Sequence, residues 1–181
     1  MALMRTCIGA RIVVALAGAV ACNGGLEPAS VPTSCPKGFV GICGTVTFQG
    51  TEPDSTVGVF VVAYPTFPRS RSELLTFRPG PPLQSLPRPF TGSLFYTVSL
   101  PNGRYEWVLA VWQKQGQLAP NFSNADSIFK EAGFYRDKAD TTPHGSGIVT
   151  VNGTGTDSLD FVIDFNNMHS ISFYFPAASQ P

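Results

Sequence analysis

The sequence predicts an all-β protein, built as a single antiparallel β-sandwich of seven or eight strands. Most of its apolar segments alternate apolar and polar residues with a period of two, and turn residues separate these segments at short intervals. No segment carries apolar residues at helical spacing over more than about one turn. Glycine and proline, with 18 and 16 residues among 181, supply the turns that many short strands require.

The first two strands are predicted within residues 42–64. In the segment ICGTVTFQG the threonines take one face of the strand, and the other face is apolar: Ile42, Val46 and Phe48. After the turn TEPDST, the segment Val57–Tyr64 is continuously apolar. Such a segment is typical of a strand that is covered on both faces.

A hairpin is predicted at Asn102 and Gly103, because both residues tolerate positive φ and strand-like segments flank them. Its first arm is Leu94–Leu100, and its second arm is residues 104–114. The second arm places one tryptophan on each face: Tyr105, Trp107, Leu109 and Val111 share one side, and Glu106, Val108, Ala110 and Trp112 share the other. This pattern predicts a central strand.

The remaining strands are predicted after residue 131. A second hairpin joins residues 147–151 to residues 158–165 through the turn NGTGTD, and its second arm has one apolar face: Leu159, Phe161, Ile163 and Phe165. Residues 132–137 predict a short strand, and residues 169–175 alternate as a closing strand. One helical turn is predicted near Asn124, a candidate N-cap.

Two long interruptions separate the strands, and loops of such length in a small domain are commonly functional. The first, Pro65–Ser93, holds seven prolines and a single acidic residue, Glu73, against four arginines: Arg69, Arg71, Arg78 and Arg88. The second, Lys114–Ser146, is polar with embedded aromatic residues: Phe122, Phe129, Phe134 and Tyr135.

The first residues predict an export signal. Arg5 and Arg11 supply positive charge, the segment Ile12–Ala21 is apolar and uncharged, and no acidic residue precedes Glu27. This pattern is typical of a secretory signal and predicts an N-terminal signal helix, whose apolar segment is too short to span a bilayer as a mature helix.

The end of this segment, Ala19-Val20-Ala21-Cys22, resembles the bacterial lipobox. The resemblance implies that residues 1–21 are removed and that Cys22 is diacylated, which anchors the protein stably in a membrane. Residues 22–34 then form a flexible tether, and residues 35–181 form the β-sandwich domain. Since Asn23 replaces the aspartate that retains some lipoproteins in the inner membrane, the outer membrane is favoured, on its periplasmic or surface face. An ordinary signal peptide, leaving a free cysteine, is the alternative.

Cys35 and Cys43 are predicted to form a disulfide, because an exported protein folds in an oxidising compartment. The bridge would close a loop of about nine residues. A redox pair and a metal site are the alternatives, but the spacing is not C-x-x-C, and His144 and His169 are the two histidines of the sequence. We therefore expect no metal ion and no cofactor.

No catalytic residue is predicted, since neither histidine accompanies a nucleophile in a recognisable motif. Asp160 and Asp164 share the solvent side of one strand roughly 13 Å apart, too far for a shared calcium ion or an acid–base pair.

The net charge is zero, and about −2 once the two signal arginines are removed. No basic field therefore exists to attract nucleic acid.

Three segments resemble the transthyretin-like, carboxypeptidase-regulatory-like β-sandwich modules: Gly44-Thr45-Val46, Pro101-Asn102-Gly103-Arg104-Tyr105 and Val149-Thr150-Val151-Asn152-Gly153. The resemblance covers about residues 37–165. It implies this sandwich fold and a non-catalytic role, because such modules occur in envelope lipoproteins and as accessory domains. One branch of the transthyretin fold hydrolyses a urate derivative and carries a C-terminal Tyr-Arg-Gly-Ser. This chain ends in FPAASQP, so we do not expect that activity.

We therefore expect a non-catalytic, envelope-anchored lipoprotein, a structural or adapter module that docks a protein partner through its long loops. The alternative is a module that binds a carbohydrate or another small ligand at the cell surface. One of the two tryptophans could then offer an exposed platform, although packing in the core is the competing interpretation. The residues expected to contact such a ligand are Trp112, Arg69, Arg71, Phe122 and Tyr135.

Overall fold

Two β-sheets packed face to face confirm the all-β sandwich in a computed structural model of the chain. The structure describes residues 32–115, 124–137, 139 and 145–176. The predicted signal peptide, the lipidation site Cys22, most of the tether, Phe122 and His144 lie outside the described residues.

The described residues form ten strands, more than predicted because several are very short. Their bounds are β1 (Gly41–Gln49), β2 (Thr56–Tyr64), β3 (Ser93–Ser99), β4 (Gly103–Tyr105), β5 (Trp107–Lys114), β6 (Phe129–Phe134), β7 (Val149–Val151), β8 (Gly155–Thr156), β9 (Phe161–Asp164) and β10 (His169–Ser170). Three short helices accompany them: a 3₁₀ helix (Arg71–Leu75) and two α-helical turns, α1 (Ala125–Ile128) and α2 (Ile171–Tyr174). The turn α1 confirms the helical turn predicted near Asn124. None of these helices is long and apolar enough to cross a membrane, within the part of the chain that the structure describes.

The first sheet, here sheet A, is centred on β1. Strand β3 pairs with β1 antiparallel, whereas β8 and β9 pair with its other edge in parallel. Sheet A is therefore mixed, which the prediction of a purely antiparallel sandwich missed. The second sheet, sheet B, has the order β10-β6-β5-β2 and is antiparallel throughout.

The predicted hairpin at Asn102 and Gly103 is wrong. The strand before it, β3, belongs to sheet A, and β4, which begins at Gly103, does not pair with β3. The next strand, β5, belongs to sheet B, so this segment carries the chain between the sheets. Strand β4 pairs with β7 instead, and the Asn102 side-chain oxygen accepts a hydrogen bond from the Gly153 amide at 2.7 Å. This link fastens the crossover to a segment far along the chain.

The second predicted hairpin and the closing strand are also corrected. Strands β7 and β9 do not pair with each other, because β7 joins β4 and β9 joins β1. The closing segment contributes two residues to sheet B as β10 and then turns into α2. This turn brings the Tyr174 ring back onto sheet B, 5.4 Å from the Trp107 ring centroid.

The main core fills the space between the sheets, and it uses the apolar faces that the alternation predicts. The side chains that share one face of β1 and those on one face of the β9 segment are all buried there: Ile42, Val46, Phe48, Leu159, Phe161, Ile163 and Phe165. At one end of β1 the predicted disulfide joins Cys35 to the buried Cys43, with 5.5 Å between their Cα atoms.

A third layer covers the outer face of sheet B. The insertion Pro65–Ser93 folds back along β2, where Ala63 and Arg78 exchange two backbone hydrogen bonds of 2.8 and 2.7 Å. The Tyr64 hydroxyl donates to the Leu74 carbonyl oxygen at 2.8 Å. Strand β2 is therefore covered on both faces, as its continuous apolar sequence predicts.

Candidate functional site

An apolar cavity of about 370 Å³ lies between the outer face of sheet B and the third layer. Its volume falls within the range of small-molecule sites. Strands β2 and β5 supply the floor, and the insertion and α2 supply the cover: Val62, Tyr64, Trp107, Leu109, Leu74, Phe77, Leu83 and Tyr174. Leu75 also lines the cavity and is 65% exposed, so solvent reaches it on that side.

The floor follows from the alternation in β5. Trp107, Leu109 and Val111 point to the cavity, while Val108, Ala110 and Trp112 point into the main core. The ring of Trp107 is the centre of an aromatic group, with neighbouring ring centroids 4.9–6.4 Å away: Phe67, Tyr64, Tyr174 and Phe134. Strands β2 and β5 of sheet B thus carry apolar side chains on both faces over most of their length.

A β-bulge in β6 shapes one side of the cavity. Ala110 pairs with Gly133 and Val111 pairs with Glu131, so Ala132 is the extra residue. The bulge places Glu131 and Phe134 on the same face of sheet B, although three positions separate them. Gly133 has φ +152°, and a Cβ atom there would lie 1.9 Å from the Val162 carbonyl oxygen of β9.

A small polar cluster, formed by Glu131, His169 and Tyr174, closes one end of the cavity. The Glu131 side chain is 7% exposed, and its Oε2 atom lies 2.9 Å from His169 Nδ1 and 2.8 Å from the Tyr174 hydroxyl. Burial and the neighbouring carboxylate raise the pKa of Tyr174 above its usual range. The hydroxyl therefore stays protonated and donates to Glu131.

Polar contacts at the rim hold the cover in place. Asp126 of α1 accepts a hydrogen bond from the Ser172 amide at 2.7 Å and forms an ion pair of 2.8 Å with Arg71 of the insertion. Arg71 also donates from Nε to the Phe175 carbonyl oxygen at 3.0 Å. Partial burial acts to raise the pKa of Asp126, but the Ser172 and Arg71 contacts outweigh it and hold that pKa below its usual range.

The structure does not bring together the four predicted ligand-contacting residues that it describes, and Phe122 lies outside the described part of the chain. Trp112 is 3% exposed in the main core, where its Nε1 atom donates to the Thr56 hydroxyl at 2.8 Å, so it presents no platform. Tyr135 packs against the same core. Arg71 is a rim residue that ties segments of this chain together, and Arg69 is exposed on the insertion. Trp107, the other tryptophan, is the one at the cavity.

Several residues of this site carry no sequence signal of their own. Glu131, His169 and Tyr174 are single polar residues in different segments, and nothing in their spacing predicts that they meet. Trp107 had a usable signal, because it shares a strand face with Leu109 and Val111 and that face turns out to be covered.

Elsewhere, Cys35, Cys43 and Asp157 bring potential metal-ligand atoms within 4.8 Å of one another in the described part of the chain. The two sulfur atoms are bonded to each other, however, and cannot act as thiolate ligands. The Asp157 carboxylate instead accepts a hydrogen bond from the Cys35 amide. The Asp157 carboxylate therefore connects the disulfide-closed loop, residues 35–43, to the segment before β9.

No protein family, curated protein or solved structure matches the chain.

Proposed function

We propose that the protein is a non-catalytic binding module of the cell envelope, anchored through a lipidated Cys22, that takes up a small and largely apolar ligand. The observation that carries this proposal is the cavity on the outer face of sheet B, because it is of ligand size, open to solvent and lined almost entirely by apolar side chains. A carbohydrate fits such a lining poorly, since its hydroxyl groups would lose their hydrogen bonds to water without replacement.

Docking of a protein partner through the long loops stays a prediction. The insertion Pro65–Ser93, expected to carry that role, packs on sheet B and covers the cavity. We therefore favour a role for the insertion as a cover. Chemical cross-linking in native membranes separates the two functions, because an adapter would yield a stoichiometric protein partner that is lost when the insertion is shortened.

Ligand uptake can be tested with the two tryptophans, which lie on opposite faces of β5. We expect 10-bromodecanol, a neutral chain whose bromine quenches indole on contact, to quench Trp107 saturably in the variant Trp112→Phe. In the matched variant Trp107→Phe, which retains Trp112 in the main core, little quenching is expected. Tryptophan emission during a titration gives both results. Equal or non-saturable quenching in the two variants would contradict binding in the cavity.

The anchor is tested separately. Cells that express the protein in labelled palmitate should incorporate label into the unaltered chain, and Cys22→Ser should remove it because the thioether site is lost. Cys22→Ala serves as a second variant with the same expectation. Label that persists in both variants would reject lipidation at this residue and leave the proposed ligand binding untouched.

A further inference from the structure

We propose that the ligand of this cavity carries an ammonium group that pairs with Glu131, so that its class is an apolar chain or ring system with a terminal amine. This inference rests on the proposed function and adds the chemistry of the ligand's polar end. Two observations support this proposal: the hydrogen bonds that the Glu131 carboxylate accepts, and the charged residues that surround it.

The Glu131 carboxylate is buried at the end of an apolar cavity, with half of its acceptor capacity in use. Both of its hydrogen bonds end on Oε2, from His169 and Tyr174. Among the described residues no donor reaches Oε1, and this atom is still open to solvent, because no fully buried side-chain oxygen of those residues lacks a partner. No lysine or arginine of the described chain forms an ion pair with it. A buried carboxylate is costly unless a cation or strong donors compensate it.

The cations of the protein nearest to Glu131 do not pair with it, although Lys130 also lines the cavity. The Lys130 ammonium lies 5.8 Å from the ring centroid of Trp112, a residue of the main core on the other face of sheet B. The Arg136 guanidinium lies 4.3 Å from the ring centroid of Phe134. His169 faces the carboxylate with a ring nitrogen, which donates a hydrogen bond without needing a positive charge.

Acidic residues continue beyond Glu131. On the far side of this residue a more open groove is lined by Asp160 and Asp164 of the β9 segment together with Arg136 and His169. An ammonium group that pairs with Glu131 would therefore meet two further carboxylates and one guanidinium as it emerges, so negative groups outnumber positive ones there. A carboxylate head group would instead add a negative charge beside Glu131, which disfavours fatty acids as ligands.

Three ligands of equal chain length test this inference with the full folded protein: decylamine, decanol and decanoic acid, each below its self-association concentration at pH 7.5. Displacement of 10-bromodecanol from the Trp112→Phe protein gives the three affinities. We expect decylamine to bind about tenfold or more tightly than decanoic acid, since a charge-assisted hydrogen bond distinguishes them.

In the same background, Glu131→Gln should reduce the affinity for decylamine about tenfold and change that for decanol by less than about threefold. Glutamine keeps an oxygen acceptor for the Tyr174 hydroxyl, so the shape of the cavity is retained. Asp54→Asn is the matched control, because it removes a negative charge at an exposed position outside the cavity. It should leave all three affinities unchanged.

The outcomes separate the inference from the function on which it rests. If decanoic acid binds as tightly as decylamine, or if Glu131→Gln leaves their ratio unchanged, the ammonium preference is wrong and the apolar site stands. If none of the three ligands binds, the proposed function fails and the inference fails with it. If Glu131→Gln does not fold, the ratio of the decylamine and decanoic acid affinities, measured with Glu131 in place, still tests the ammonium preference.

Discussion

Replacement of Trp107 with alanine should lower the free energy of unfolding by about 3–5 kcal/mol, as expected for a large aromatic residue removed from a packed site. Trp107 is 3% exposed and holds three parts of the molecule together. Its ring contacts the insertion at Phe67, with ring centroids 4.9 Å apart, and the α2 segment at Tyr174, at 5.4 Å. Removing it takes away the ring that contacts both the insertion and α2.

Urea unfolding followed by circular dichroism measures this loss. Trp107→Phe keeps an aromatic ring at the position and should cost less than half as much. Phe173→Ala is the control for an aromatic residue that is 56% exposed, and its effect should stay within about 0.5 kcal/mol. A Trp107→Ala protein no less stable than Phe173→Ala would mean that the third layer is not packed on sheet B.

Gly133→Ala is expected to destabilise the protein by about 2–4 kcal/mol, because two independent effects act at this position. Its φ of +152° is a conformation that residues with a side chain rarely adopt, and the new methyl group would lie 1.9 Å from the Val162 carbonyl oxygen. That oxygen belongs to the backbone of β9, so it cannot move aside as a flexible side chain would. The bulge must shift instead, and Glu131 must shift with it.

The binding of decylamine should therefore weaken together with stability in Gly133→Ala. Two other glycines provide graded controls. Gly80 has no atom within 4 Å of its Cβ position and no positive φ, so Gly80→Ala should be neutral within about 0.5 kcal/mol. Gly92 has open space but φ +66°, so Gly92→Ala should cost about 1 kcal/mol. An equal effect at all three positions would contradict the close approach of β6 to β9.

Parts of the candidate site could be predicted from the sequence. The alternation in β5 separates Trp107 from Trp112, and the continuous apolar segment of β2 implies that the outer face of sheet B needs a cover. The proline-rich insertion follows β2 directly and is the segment that supplies much of this cover. The prediction that Trp112 contacts the ligand was wrong, because Trp112 faces the main core and Trp107 faces the cavity. Alternation separates the two faces of β5 but does not indicate which of them packs against the other sheet.

The polar end of the cavity could not be found in this way. Glu131 and His169 are 38 positions apart, and Glu131 and Tyr174 are 43 apart. Their meeting depends on the bulge at Ala132, on the antiparallel pairing of β10 with β6 and on the turn that α2 makes. Each of these is a consequence of packing, because a strand continuing through residues 169–175 would have carried Tyr174 away from sheet B.

The sequence by itself determined the all-β class, the apolar face of most strands, the two-sided burial of β2 and the local disulfide of Cys35 with Cys43. These properties depend on side-chain alternation and short separations along the chain. Only the tertiary structure decided which strands pair, that β9 runs parallel to β1, and that an apolar cavity ends at a buried carboxylate. Alternation specifies which side of a strand avoids water. It does not specify the partner strand, because backbone hydrogen bonds are the same for every partner. The pairing is therefore decided by side-chain contacts between residues that are distant in the sequence.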